Sequence, residues 1–186
     1  MKTNFLLTSL VIVLFSLTAN SQITKGNWMV GGDGSYSSFR SRKVDGSGKF
    51  SPFSIRVNPN IGYFFKDKMA VGVSLEMGFG ERDFHVLMSP FFRYYFLKQD
   101  KIINIFSSIN AGYGKRFNYS FNDNYNLSKF GIKTGSVIFL NENIGLEIFA
   151  DYSLNYYQYA NILGRTGYVD YIKIGVGFQI HLENNR

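Results

Sequence analysis

The 186-residue chain contains no cysteine, three prolines, two histidines and one tryptophan. Without cysteine there is no disulfide framework, no thiolate chemistry and no cysteine to carry a lipid anchor. The two histidines, His85 and His181, belong to no His/Asp/Glu cluster with metal-ligand spacing, so no metal site and no cofactor are expected. Long apolar runs are also missing. The longest, Leu6 to Leu17, is roughly a dozen residues, short of the ~20 that a spanning helix needs. The run "GGDG" (31–34) looks like a phosphate loop only in isolation, because it sits inside a strand-like alternation.

The apolar run has another reading. Lys2 precedes it, and Ala19-Asn20-Ser21 follows with small residues at the −3 and −1 positions of a cleavage site. Residues 1–21 therefore read as a secretory signal peptide, and 22–186 as one exported domain. With no apolar run in that domain long enough for a helix, residence in a membrane would require a closed barrel.

What the chain does have is alternation. In "VGVSLEMGF" (71–79), Val71, Val73, Leu75, Met77 and Phe79 are large and apolar, whereas Gly72, Ser74, Glu76 and Gly78 are small or charged. Period-two alternation is the signature of a strand with two unlike faces. It recurs over 27–36, 53–63, 84–94, 103–114, 129–138, 144–154 and 172–182, giving eight strands of about ten residues. Ordinary strands average ~5–6 residues, and a tilted membrane-spanning strand needs ~9–11. Short charged or polar turns at 66–68, 98–100 and 141–143 alternate with longer polar loops at 39–51, 117–127 and 156–167; 80–83 is a brief exception. The pattern predicts an all-β, eight-stranded, antiparallel up-and-down transmembrane β-barrel.

The small face decides the orientation. It is rich in Gly, Ser and Asn, whereas a water-facing strand would carry Lys, Glu and Thr. Glycine within a strand needs a reason, and a narrow eight-stranded bore supplies one. The large apolar face is therefore assigned outward. Trp28, Tyr63 and Tyr94 fall near the short-turn ends, and Tyr36, Tyr113 and Tyr152 near the loop ends, as two aromatic membrane-interface levels.

Charges on the inner face must be paired. Symmetric closure of the turn at Lys66 predicts Glu76 directly opposite Arg56, and closure around Glu142 predicts Asp151 opposite Lys133. Asp33 and Lys173 can meet across the closing seam, and Arg93 and Glu147 add one charge of each sign nearer the short turns. These eight residues are the predicted ion network that plugs the lumen. Pro59 and Pro90 fall mid-strand, where local bulges are expected.

The signal ending in "ANSQ", the stretch "KGNWMVGG", the hairpin arms "NPNIGYFF" and "SPFFRYYF", the segment "FLNENIGLEIFADY" and the final strand "YIKIGVGFQIHL" resemble the small eight-stranded outer-membrane β-barrel domain family of Gram-negative bacteria. That resemblance implies placement in the outer membrane and assembly by the barrel-insertion machinery. It implies no single activity, since members are mostly of unassigned function, some structural, adhesive or proposed as narrow pores.

No catalytic signature is present. His85 and Ser89 share one strand face, but a barrel-lining pair is the plainer reading. Arg40, Arg42, Lys43 and Lys49 in the first long loop could contact lipopolysaccharide phosphates, and Tyr119, Tyr125, Tyr156, Tyr157 and Tyr159 could form a recognition surface. The expectation is a monomeric, non-enzymatic outer-membrane protein in contact with outer-membrane lipids and not with nucleic acid. Its role is structural or in surface interaction. The alternatives are a narrow passive pore for small solutes and, further off, a lipid-modifying enzyme.

Overall fold

The computed structural model describes residues 23–38, 41–42, 49–50, 53–81, 83–119, 124–159 and 166–183. The expected signal segment, 1–21, lies outside the described residues, as do Arg40 and Lys43. The strands are β1 (Trp28–Ser38), β2 (Ser41–Arg42), β3 (Lys49–Phe50), β4 (Phe53–Lys66), β5 (Met69–Gly80), β6 (Asp83–Tyr95), β7 (Ile103–Asn118), β8 (Asn124–Phe139), β9 (Ile144–Tyr159) and β10 (Thr166–Leu182). β2 and β3 form a separate two-stranded ladder; the other eight close into an antiparallel barrel in the order β1-β10-β9-β8-β7-β6-β5-β4.

The alternation resolves into two faces. On β7, Ile103, Ile105, Ile109 and Tyr113 are exposed on the outer surface, whereas Asn104, Phe106 and Ser108 are buried inside. The inner face is not uniformly small. Met29, Phe64, Phe91, Tyr95, Phe106, Val137, Phe139 and Phe149 form an apolar core within the bore. Glycines make room for these rings. A Cβ on Gly62 or Gly72 would run into the Phe91 ring, and one on Gly78 into the imidazole of His85.

β7 to β10 reach 16 or 17 residues, longer than expected at their loop ends. The segments 115–118, 124–128, 155–159 and 166–171, read as loop or left unassigned, continue the ladder. The apolar outer face fades there, but main-chain pairing does not require apolar side chains.

Neither proline makes a bulge. Pairing of β4 with β5 passes from Val57↔Met77 to Asn60↔Ser74 without a change of register, and pairing of β6 with β7 passes likewise from Met88↔Tyr113 to Phe91↔Asn110. Each proline lacks an N–H, so it opens its ladder on one side only. Pro59 still pairs with Gly32, and Pro90 with Val73.

The irregularity lies at the β4–β5 turn instead. A register shift falls between Phe64 and Lys66, and Lys68 has φ 66°. The hairpin thus closes about Asp67, and the β4–β5 pairs from Ser54↔Gly80 to Phe64↔Ala70 move two places from the symmetric expectation. A side chain in the left-handed region costs about 1 kcal/mol more than glycine. Lys68→Gly should therefore raise the urea midpoint of the folded barrel, equivalent to about 0.5–1 kcal/mol. A lower midpoint would show that the lysine side chain contributes more than its backbone costs.

The short-turn end is covered by residues 23–27. The Ile23 carbonyl accepts hydrogen bonds from the Lys68 amide (2.9 Å) and from Gln99 Nε2 (3.3 Å), and the Gly26 amide donates to the Phe64 carbonyl (2.8 Å). Ile23 is fully buried.

Candidate functional site

The inward polar side chains form three tiers. The first lies just above the apolar floor. β6 supplies Arg93 and β9 supplies Glu147, and Arg93 Nη1 donates to Glu147 Oε1 at 2.5 Å. Both residues are 3% exposed. The guanidinium also lies 4.4 Å from the Phe106 ring centroid and donates to the Tyr95 hydroxyl at 3.4 Å. Tyr95 OH donates in turn to Gln179 Oε1 (2.8 Å), which lies 2.8 Å from His181 Nε2. A charge-assisted bond inside an aromatic cage is worth far more than one in water, because nothing screens it.

The second tier is centred on Asp33. Lys173 Nζ and Asn58 Nδ2 donate to its Oδ1 at 2.8 and 2.7 Å, and Lys133 Nζ donates to its Oδ2 at 2.7 Å. Phe149 backs both ammonium groups, with Lys133 Nζ 4.0 Å and Lys173 Nζ 5.2 Å from its ring centroid. Asp151 sits directly opposite Lys133 on β8 and directly opposite Lys173 on β10. Yet Lys133 reaches across the bore and Lys173 across the seam to Asp33, and buried Asp151 Oδ1 has no hydrogen-bond partner. The expected Lys133–Asp151 pair is corrected here: the register is as expected, but Asp33 also accepts from Asn58 and collects both cations.

The third tier is centred on Glu76. Lys129 Nζ donates to Oε2 (2.8 Å), His85 Nε2 lies 3.2 Å from Oε1, and Arg56 Nε forms an ion pair with Oε1 at 3.4 Å. Direct opposition of Arg56 and Glu76 is also corrected: Arg56 faces Gly78 and Glu76 faces Leu87. The two-place shift keeps both on the inner face, so the pair forms diagonally. Toward the loops, Arg116 pairs with Asp83 and lies 6.0 Å from the Tyr125 ring centroid, and the Tyr157 and Tyr171 hydroxyls are 3.4 Å apart. Between these groups and Glu76 is a cavity of about 30 Å³ lined by Arg56, His85, Lys129 and Tyr157 among others. That is space on the scale of a water or two.

Of the expected network, Asp33, Lys133 and Lys173 meet, Arg56 and Glu76 meet, Arg93 and Glu147 meet, and Asp151 stands unpaired between two lysines. Sequence reasoning missed Lys129, His85, Asp83 and Arg116 as charge partners and the Tyr95–Gln179–His181 chain. Lys129 shares the parity of Lys133, so it was findable from alternation alone; Asp83 and Arg116 lie where that alternation fades. The six aromatic residues all point outward. Trp28 packs on Tyr63 with ring centroids 5.1 Å apart, Tyr94 meets Phe96 edge-on at 5.0 Å, and Tyr36, Tyr113 and Tyr152 are exposed. Among the described residues, no group of three or more His, Asp or Glu side chains could hold a metal ion. The imidazole of His85 is engaged by Glu76, and the Ser89 carbonyl accepts from the Ser74 hydroxyl (3.2 Å).

No family model and no curated protein matches the sequence. The fold is similar to two solved outer-membrane structures. Neisserial surface protein A aligns over 84% of this chain and 99% of its own, with a TM-score of 0.57 and 13% identity. The outer membrane protein OprG from Pseudomonas aeruginosa aligns over 91% of this chain and 100% of its own, with a TM-score of 0.52 and 14% identity. The likeness is one of fold: a small closed eight-stranded barrel of the outer-membrane type.

Proposed function

We propose that this chain is an integral outer-membrane barrel with a closed lumen, serving the envelope as a structural or surface-interaction protein rather than as a conduit. The observation that carries the reading is the pairing of two surfaces. Outside, Ile105, Ile109, Ile132, Ile148 and Phe178 belong to an apolar belt that no second layer covers among the described residues. Such a belt is untenable in water and favourable in acyl chains. Inside, three tiers of ion-paired side chains above an aromatic floor leave a cavity of about 30 Å³ among the groups at the loop end. The tyrosines at that end, Tyr119, Tyr156 and Tyr168, are exposed and amphipathic, which suits contact with a partner or with lipid headgroups. The bonds already made by His85 favour a packing role over catalysis.

Reconstitution in planar bilayers tests the reading. The wild-type barrel should insert and give no sustained current above that of the bare lipid. Stable ion-conducting steps would replace the closed-lumen reading with that of a narrow pore. A chain that stays monomeric in water without detergent would overturn membrane residence altogether.

A further inference from the structure

The seam between the first and last barrel strands is only half closed. β1 pairs with β4 along its whole length, Trp28 to Ser38. On its other side it pairs with β10 from Trp28↔Leu182 to Asp33↔Gly177 and, among the described residues, no further. β10 nonetheless continues toward the loops and pairs with β9 as far as Thr166↔Gln158. Both free edges are among the described residues: 34–38 on β1 and 166–176 on β10. The gap is spatial as well as formal. A Cβ on Gly177 would meet the Gly32 carbonyl oxygen at 2.8 Å, whereas one on Gly34 would find only the Arg56 carbonyl oxygen, at 3.8 Å, and no atom of β10 within 4 Å. Ile172 and Ile174 are each 80% exposed, against 45% for Ile132, which has a neighbour on both sides and shares a ladder level with Ile172.

Ile172, Ile174 and Val176 continue the apolar belt of Phe178, Ile180 and Leu182, so the lower part of the open seam, 34–36 on β1 and 172–176 on β10, falls within the lipid-facing zone. Unpaired N–H and C=O groups there have no water to bond and are not left open in hydrocarbon. They need a β-strand edge of opposite polarity. The molecule carries that edge itself. β1 runs from the short turns toward the loops and β10 runs back. Two copies inserted in the same sense and related by a two-fold axis along the membrane normal would set the free β10 edge of each against the free β1 edge of the other, antiparallel, twice. Such an interface is isologous and closes on itself.

We propose that the outer half of the β1–β10 seam is a homodimerisation edge, continuous with the six-pair ladder below it, at which a second copy of this chain docks by reciprocal strand pairing. The proposal rests on the membrane reading above and replaces the monomer expected from the sequence.

The absence of native cysteine makes the test direct. Continuing the register of Asp33↔Gly177 places Tyr36 opposite Ile174, and carried between copies it places Tyr36 of one against Ile174 of the other. Cα atoms opposed in this way lie within disulfide reach. Tyr36→Cys and Ile174→Cys chains are to be folded separately, shown to be inserted, mixed in one vesicle preparation and oxidised mildly. The expected result is a disulfide-linked dimer, absent when Ile148→Cys on β9 replaces the Ile174 variant. The double variant Tyr36→Cys/Ile174→Cys in one chain is the counter-test. A monomeric internal disulfide there, with no dimer in the mixture, would show that the seam zips shut by itself and would overturn the proposal. No cross-link of either kind would overturn it too, leaving the edge to lipid. Failure of the membrane reading shows earlier and separately, as variants that never enter the vesicles.

Discussion

Glu147→Ala should cost the folded barrel about 3–5 kcal/mol, the usual penalty for stranding one member of a buried ion pair. The magnitude follows from burial. Arg93 and Glu147 are each 3% exposed, and the surrounding groups are aromatic rings and the Tyr95 hydroxyl. Arginine cannot shed its charge to escape the loss. The double replacement Arg93→Met/Glu147→Leu should recover most of the stability, because a well-packed apolar pair of similar volume often equals or exceeds a buried salt bridge. The fluorescence of Trp28, the single tryptophan, exposed on the outer face at Leu182, reports unfolding in urea from lipid vesicles. A loss below about 1 kcal/mol for Glu147→Ala would mean that water reaches Arg93, since hydrated ion pairs contribute about that much. The closed floor beneath the second tier would then be wrong, and with it the closed-lumen reading.

The barrel was legible in the sequence because its two faces obey a period-two rule that a register error cannot disguise. The β4–β5 turn shows this. Pairing there differs from the symmetric expectation by two residues, yet Arg56 and Glu76 still meet, because an even shift preserves the face. Which partner each charge chooses was not legible. Asp151 is opposite Lys133 as expected, but the lysine side chain is long enough to cross the bore, and Asp33 offers it a carboxylate already oriented by Asn58. Choices of that kind depend on the barrel's curvature and on what fills the centre, here Phe149, and not on ladder position. The prolines failed for a related reason. A missing N–H removes one ladder bond, but in a closed barrel the neighbouring strands hold the register across the gap. Seam length was also out of reach. Alternation runs through Gly34, Tyr36, Ile172 and Ile174 without interruption, and nothing in it marks where β1 and β10 part.

The orphaned carboxylate gives the second large effect. Asp33→Asn removes the only carboxylate, among the described residues, that Lys133 and Lys173 touch. Both lysines then lie across the ladder from Asp151, whose Oδ1 is free to accept. Asp151 should act as a counter-ion in reserve. Asp151→Asn alone should change stability by less than about 1 kcal/mol, because it breaks no bond to a cation and surrenders an unsatisfied buried charge. The double variant Asp33→Asn/Asp151→Asn confines two ammonium groups beside Phe149 with no acid in their tier. It should cost about 1–3 kcal/mol more than the sum of the single changes, as contacting charges in one network do. Additivity to within about 0.5 kcal/mol would show that the lysines do not re-pair. The middle tier would then be a fixed clamp on Asp33. The predicted excess would instead mark it as a pair of cations shared between two carboxylates, a neutral plug that survives the loss of either.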